Sequence, residues 1–534
     1  MGGGLLQLVA YGAQDAYISG NPHITFWKVL YKRHTNFAME AFRVNFTGAP
    51  QYGQRVVAVV NRNADLMYKT YLEVQLPDTQ GVVFGGATKP VAWSGAWERR
   101  LGYQLLKKIE VEIGGQIIDT HYGEWLFLWE NLTSGFDNSV KLDSMTGGYL
   151  GGSTTTNVSC GGRPNILYIP LQFWFCRNPG LALPLIALQY HEVRINVTLS
   201  PATDLVSKGT YSSVSQASTA LPQLKDMALY IDYVYLDVDE RRRFAQQSHE
   251  YLIDQLQYGL QQTITTASAR IDLTLNHPVK ELVWVFQDAR KTDCGSTLTD
   301  NIGFTQPFSY DDIVNRCRLQ INGQDRFDER YGDYFWRVQS YQHHSGGAFW
   351  PMRAQAIAQT PTTFTATNCS IAGNVLTVGN PTSSFALVTG PASSPTQIIE
   401  GALVTYTTAG YLPPGTVISA FGSGSGGVGT YNISEVPLQA VSGLTLTFTT
   451  PNVQYTPHEN PINVYSFALQ PEEHQPSGTC NFSRIDTTTL VFDSITETGL
   501  AKPTKTTPFN FRMYAVNYNI FRVMSGMGGL AYSN

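Results

Sequence analysis

Apolar and polar residues alternate along two short stretches of this chain, 208 residues apart. In the first, Ile109, Val111 and Ile113 alternate with Glu110 and Glu112. In the second, Cys317, Leu319 and Ile321 alternate with Arg318 and Gln320. A period of two puts each apolar set on one face of a half-buried strand. Each run ends in a dipeptide that tolerates positive φ, Gly114-Gly115 and Asn322-Gly323, which predicts a tight turn. An aromatic segment follows both, opening Tyr122-Gly123-Glu124-Trp125 and Tyr331-Gly332-Asp333-Tyr334, and reads as a short helix. The displacement is 208 at the Gly-Gln pairs and 209 at the Tyr-Gly pairs, so one inserted residue reconciles them. Upstream, Tyr71–Leu76 matches Glu281–Phe286. Three matches in register predict two copies of one β domain, a repeat longer than any solenoid unit.

Taken in order, residues 1–36 show neither helical nor strand periodicity over any length. They read as an extended arm with one short helix, packed by its aromatics beneath a domain. Residues 37–237 give short strands separated by Gly, Asn and Pro turns, the pattern of a sandwich or jelly roll. The clearest late strands are Leu167–Phe175, His191–Leu199 and Leu229–Val238. Residues 238–250 are charge-rich and read as a helical connector; the second copy occupies 251–534, its aromatic helix ending near His343-His344. About 35 residues separate that helix from the next strand in the first copy, and about 115 in the second, before Val464–Leu469. Between Arg353 and Glu459 the only charged side chains are Glu400 and Glu435. A structureless loop of that length goes against expectation, so residues 354–453 are predicted to form a small inserted β domain. Its Pro414–Ile418 and Gly422–Tyr431 runs resemble Gly/Thr-rich modules of viral and phage surface proteins.

Composition narrows the function. Charged residues are 14% of the 534, against the usual quarter, and the net charge is −5 with no Lys/Arg tail. Nucleic acid is therefore not an expected partner. Arg241-Arg242-Arg243 follows Asp237, Asp239 and Glu240 and reads as a charge-balanced helix face. The six cysteines are scattered with no Cys-x-x-Cys pair, which fits a reducing compartment rather than a disulfide framework or zinc site. No basic segment precedes Leu5–Ala10, so no secretory signal is expected. Leu6 stands where a myristoylation motif needs Ser or Thr. Ile166–Tyr190 is interrupted by Arg177 and three prolines, so it makes no membrane-spanning helix, and a soluble protein is expected. Gly422–Gly429 lacks the Gly-Lys-Ser/Thr of a phosphate loop. His191-Glu192 and His249-Glu250 lack the second His of a zinc protease. His343-His344 in a strand would point to opposite faces, and no Gly-x-Ser-x-Gly elbow occurs. The aromatics at 173–175 and 334–336 read as core. No catalytic residue, cofactor or metal is expected, and the chain does not read as an enzyme. Of seven Asn-x-Ser/Thr sequons, Asn368 and Asn432 in the insert are the ones expected to be exposed, and are the candidate glycosylation positions.

Longer stretches carry a family resemblance. The arm, from Gly2-Gly3-Gly4-Leu5-Leu6 to Phe37-Ala38, resembles the start of the major capsid proteins of large icosahedral DNA viruses of eukaryotes, those of algae above all. So do residues 178–195, 249–257, 321–327, 475–486 and 522–534. The matches keep their order along the chain and leave out only the insert. The resemblance implies an all-β double jelly roll, two eight-stranded β-sandwiches standing side by side with short helices and the inserted module. It implies a structural major capsid protein whose homotrimers form pseudo-hexagonal capsomers, tiling an icosahedral shell over an internal membrane, assembled in the host cytoplasm. The partners implied are further copies of the chain, then minor capsid proteins and membrane at the base. The assembly arm lies at that base through Leu5, Leu6, Phe26, Trp27 and Tyr31. Residues 354–453 would face outward, toward a host-surface glycan or receptor. A minor or penton-like capsid paralogue is the alternative; a jelly-roll carbohydrate-binding protein would call for the signal peptide and disulfides not found here.

Overall fold

The computed structural model describes residues 3–21, 34–76, 100–147, 166–201, 223–289, 310–346, 363–378, 403–406, 418–423, 429–434, 441–449, 461–495 and 508–532, with a few shorter stretches between them. Two short helices, α1 (Gly3–Val9) and α2 (Asp15–Ser19), precede the first half. Eight main strands build that half: β1 (Phe37–Asn45), β2 (Arg55–Val59), β3 (Leu66–Gln75), β4 (Leu106–Ile113), β5 (Gln116–His121), β6 (Ile166–Pro170), β7 (Val193–Leu199) and β8 (Asp226–Leu236). They pair antiparallel in two sheets, ordered β1-β8-β3-β6 and β2-β7-β4-β5. In the second half β9 (His249–Ile264), β10 (Ala269–Asp272), β11 (Pro278–Asp288), β12 (Val314–Ile321) and β13 (Gln324–Asp325) come before the insert. The insert supplies β14 (Thr363–Ala372), β15 (Val375–Val378), β16 (Leu403–Thr405), β17 (Ile418–Phe421), β18 (Gly429–Ile433) and β19 (Val441–Thr449). Then β20 (Asn463–Ser466), β21 (Thr488–Ile495) and β22 (Phe509–Met524) complete the half, in sheets ordered β9-β22-β11-β20 and β10-β21-β12-β13. The two orders are the same when each strand is exchanged for its counterpart. The chain is a double jelly roll.

The echo in the sequence marks equivalent places. β4 and β12 occupy the same position in their sheets, and each turns back through two residues at positive φ: Gly114 and Gly115 at 59° and 87°, Asn322 and Gly323 at 48° and 78°. Such paired positive φ values give the hairpin turn whose twist suits the flanking strands. After each hairpin comes the aromatic helix, α3 (Gly123–Thr133) in the first half. Its counterpart is a π turn at Tyr334–Val338, and α5, the helix Gln339–His343, continues it once α4 (Val238–Gln246) has joined the halves. The glycine of each Tyr-Gly-acid motif is forced. A Cβ on Gly123 would lie 1.9 Å from the Tyr103 carbonyl oxygen, and one on Gly332 would lie 2.0 Å from that of Val314. In α4 the Asp237 side chain accepts from the Val238 amide, capping the helix, and Arg241 reaches Asp65 at 2.9 Å.

One expectation fails. Leu167–Phe175 is not one strand: β6 stops at Pro170, and Trp174–Arg177 is a helical turn. Pro170 offers no N–H to extend a ladder, and Phe173, Trp174 and Phe175 are all buried, which alternation in a strand does not give at a sheet edge. In the arm, Tyr11, Tyr17, Trp27 and Tyr31 are exposed.

Among the described residues burial defines three large cores and a small cluster of Leu66, Ala182 and Val234. One lies inside the first sandwich and runs on into the contact between sandwiches, where Val283, Val285, Tyr514 and Val516 join it. A second fills the second sandwich, with Leu282, Trp284, Phe286, Phe511 and Met513. Successive residues of β11 and β22 thus serve different cores. In the sheet between the sandwiches β11 and β22 are buried on both faces, and β11 reads accordingly as Val-Trp-Val-Phe without alternation. The insert has its own core, including Ile371, Leu376, Tyr431, Leu446 and Phe448, behind a six-stranded sheet ordered β16-β19-β14-β15-β18-β17.

Candidate assembly site

The seam between the sandwiches shows what this chain does with a large surface. α3 lays its aromatics against the outer face of β22 and β9: Trp125 meets Tyr514 at 5.4 Å between ring centroids, and Tyr122 meets Tyr258 at 4.8 Å. Within this apolar contact sits one ionic knot. Glu124 accepts from Arg512 Nε (2.9 Å) and Tyr310 (3.1 Å) through Oε1, and from Tyr514 (2.6 Å) through Oε2. Arg512 also donates to Gln261 and Gln287. Burial alone would lower the Arg512 pKa, but the Glu124 carboxylate more than reverses this. Burial, reinforced by Glu124, holds the Tyr310 and Tyr514 hydroxyls well above their ordinary values, so both remain donors. A buried charge cluster of this kind fixes register, and removing one member leaves the other uncompensated.

A second polar string crosses the same seam. Asp119 Oδ1 accepts from the Leu256 amide at 3.1 Å, capping the free edge of β9, while its Oδ2 lies 3.1 Å from His121 Nε2. Arg177 lies over the Trp129 ring at 4.0 Å and 3.7 Å from Asp254, which also holds Lys280 at 3.0 Å. Beyond α5, both ring nitrogens of the buried His344 face carboxylates: Nδ1 is 3.1 Å from Glu472 and Nε2 is 3.1 Å from Glu281. Next to it the Ser345 hydroxyl donates to the Thr133 carbonyl, and the Gly346 amide to that of Leu132, joining the ends of the two aromatic helices. Each helix is also tied to the segment before its hairpin. The Tyr103 hydroxyl donates to Glu130, and Trp336 Nε1 to Asp312 at 3.2 Å. Burial raises these carboxyls, to about 7 for Glu130 and, with the Asp333 charge, to about 6 for Asp312.

The residues singled out in the sequence lie elsewhere and are not brought together into one site. Leu5 and Leu6 are exposed on α1, at 56% and 54%; Trp27 and Tyr31 are exposed at 89% and 90%; Phe26 lies outside the described residues. Asn368 is exposed in β14 at φ 54°, beside a register shift, and Asn432 is exposed in β18. Among the described residues, Cys176, Cys317, Cys369 and Cys480 form no disulfide, no His/Cys/Asp/Glu group has metal-site geometry, and no helix is long and apolar enough to cross a membrane. Sequence reasoning missed the seam. Its signal was present: Glu281 and Arg512 adjoin the apolar runs 282–286 and 513–516, and Glu124 belongs to the repeated motif.

Two family profiles match the chain: "Major capsid protein N-terminus" over residues 25–237, and "Large eukaryotic DNA virus major capsid protein" over 240–351 and 446–529. The chain is 41% identical to a major capsid protein of Pyramimonas orientalis virus and 37% identical to one of Phaeocystis pouchetii virus, each over the full length of both chains. Among solved structures it resembles PBCV-1 VP54, fitted into a reconstruction of the virophage Sputnik, with a TM-score of 0.61 at 29% identity, covering 96% of this chain and 100% of that one.

Proposed function

The chain belongs to the major capsid proteins of large eukaryotic DNA viruses, and from that premise we propose that three copies associate into a capsomer of six sandwiches, which tiles the facets of an icosahedral shell over an internal membrane. Its work is structural. It builds the capsid of the virion, in a family of shell proteins rather than enzymes.

One observation carries the trimer: each chain holds two sandwiches of identical strand order, packed side by side. Three such chains approximate a sixfold outline, and a sixfold outline packs a plane without gaps. Repetition of moderate contacts then stabilises a closed shell. The exposed apolar arm supports a role at the capsomer base, against neighbouring capsomers, minor capsid proteins and membrane. Leu5, Leu6, Leu8 and Val9 are exposed, and an exposed apolar patch marks an interaction site. The insert, with its own core and almost no charge, suits outward display toward a host-surface glycan or receptor, with Asn368 and Asn432 as glycan carriers. The net charge of −5 argues against contact with the genome. Assembly in the host cytoplasm fits the described cysteines, which form no disulfide.

Negative-stain microscopy of the purified protein tests this reading. Six-lobed, pseudo-hexagonal particles are expected, and compact two-lobed particles alone would contradict it. Deleting residues 1–25 is expected to leave folded capsomers that fail to close shells; normal particles from the deletion would exclude the arm from assembly.

A further inference from the structure

The internal seam uses one face of each sandwich, and the duplication gives an equivalent pair of faces whose described residues are in part exposed, with Phe244 of α4 packed over Leu66 and Val234 on the sheet. In the first sandwich the used face is α3 with Glu124; its counterpart in the second is the helical segment 334–343, with Asp333 in the place of Glu124 by the Tyr-Gly-acid match. In the second sandwich the used face is the outer side of the β9-β22-β11-β20 sheet. Its counterpart is the outer side of β1-β8-β3-β6.

Strand register makes the correspondence residue by residue. Tyr71–Leu76 aligns with Glu281–Phe286, so Gln75 stands for Val285. Across the ladder Gln75 pairs with Asp226, and Val285 pairs with Arg512. Asp226 therefore occupies the place of Arg512. It is not an isolated acid, because Arg43 of β1 reaches it at 2.5 Å. On the other free face Asp333 is held by Arg337 at 3.0 Å. All four side chains are between 42% and 53% exposed, whereas Glu124 and Arg512 are 15% and 11% exposed.

The apolar surroundings correspond as well. Tyr331, Val338 and Tyr341 are exposed around Asp333 at 62%, 40% and 87%. The sheet opposite offers Tyr71 stacked on Tyr230 at 5.2 Å with 3° between the rings, and Tyr168 edge-on to Tyr71, all half-buried.

We propose that these two faces bind each other between copies: segment 331–341 of one copy docks on the tyrosine face of the next, where Asp333 pairs with Arg43 and Arg337 with Asp226. The pairing rests on the capsomer reading above and specifies its contact. It also explains how the ring alternates. Glu124 is already held by Arg512 within its own chain, so the α3 face of a first sandwich is not offered to another copy. Asp333 meeting Arg43 restores the acid-on-helix, arginine-on-sheet polarity of the internal seam. The contact between copies is more polar than the internal one, as suits chains that fold separately and then associate.

Sedimentation of the full-length protein across a concentration series, with circular dichroism to monitor folding, tests this. Arg43→Glu and Asp333→Arg are each expected to raise the concentration at the monomer–trimer midpoint at least tenfold with an unchanged melting profile. The double variant is expected to recover most of that loss. Tyr341→Glu, on the same face without the charge pair, is expected to weaken the trimer independently. Single variants that stay trimeric at wild-type concentrations, or a double variant no better than either single one, would overturn the proposed contact while leaving the capsomer intact. A wild type that is never trimeric would overturn both.

Discussion

At the scale of single residues, the seam places charges where burial makes them expensive and then surrounds them with partners. His344 shows the consequence. Burial alone would depress its pKa, but the flanking Glu281 and Glu472 carboxylates more than compensate and raise it to about 9 from an ordinary 6.5. Burial likewise opposes ionisation of Glu472, and the hydrogen bonds from His344 and Ser345 prevail, holding it below the usual carboxylate range. The folded value of His344 lies above the unfolded one. Its stabilising contribution is therefore complete below pH 6.5 and is lost as pH rises through about 9, a change on the order of 3 kcal/mol. Urea unfolding at a series of pH values is expected to show that decline, and His344→Gln to flatten it while lowering stability at pH 6. A variant with the wild-type slope would assign the pH dependence to other groups. The residue pattern made the hairpins and both glycine motifs legible, because positive φ and close approach leave a signature in local sequence. The ionic partners were not legible: His344 finds Glu281 and Glu472 through tertiary contacts that no local spacing encodes.

Among elements, β11 is the most instructive. Its run of buried residues belongs to a sheet covered on both sides, and odd and even positions serve different neighbours. Trp284 packs in the core of the second sandwich, and Val285 packs in the seam. Trp284→Ala is expected to cost about 3–5 kcal/mol, since it opens a cavity in a filled core. In hydrogen exchange it should accelerate β12 and β21. Val285→Asp places an unpaired charge in the seam and should accelerate α3 and residues 173–175 instead. The reverse distribution would mean that the faces are misassigned. The alternating runs of the insert gave its strands in advance: Asn374–Val378, Ala402–Thr407 and Leu444–Phe448 contain or overlap β15, β16 and β19. The β6 region misled because three adjacent buried aromatics mimic a hydrophobic strand, while Pro170 ends the ladder before them.

For the whole molecule, two sandwiches with one strand order share a covered sheet and leave matching faces free, and a third core stands apart in the insert. That separation gives an expected outcome for residues 354–453. Their replacement by a short Gly/Ser linker should leave capsomers intact and change host attachment, since extending or shortening an exposed connection costs little, about 0.6 kcal/mol per doubling. Loss of the capsomer would make the module a clamp instead. The matching free faces lead to the central claim, that the chain is one third of a ring of six sandwiches. Native mass spectrometry measures this directly. With a chain mass of 59.0 kDa, a species of about 177 kDa (three times that mass) is predicted to dominate. A protein that stays at 59.0 kDa, or assembles only in numbers not divisible by three, would contradict it.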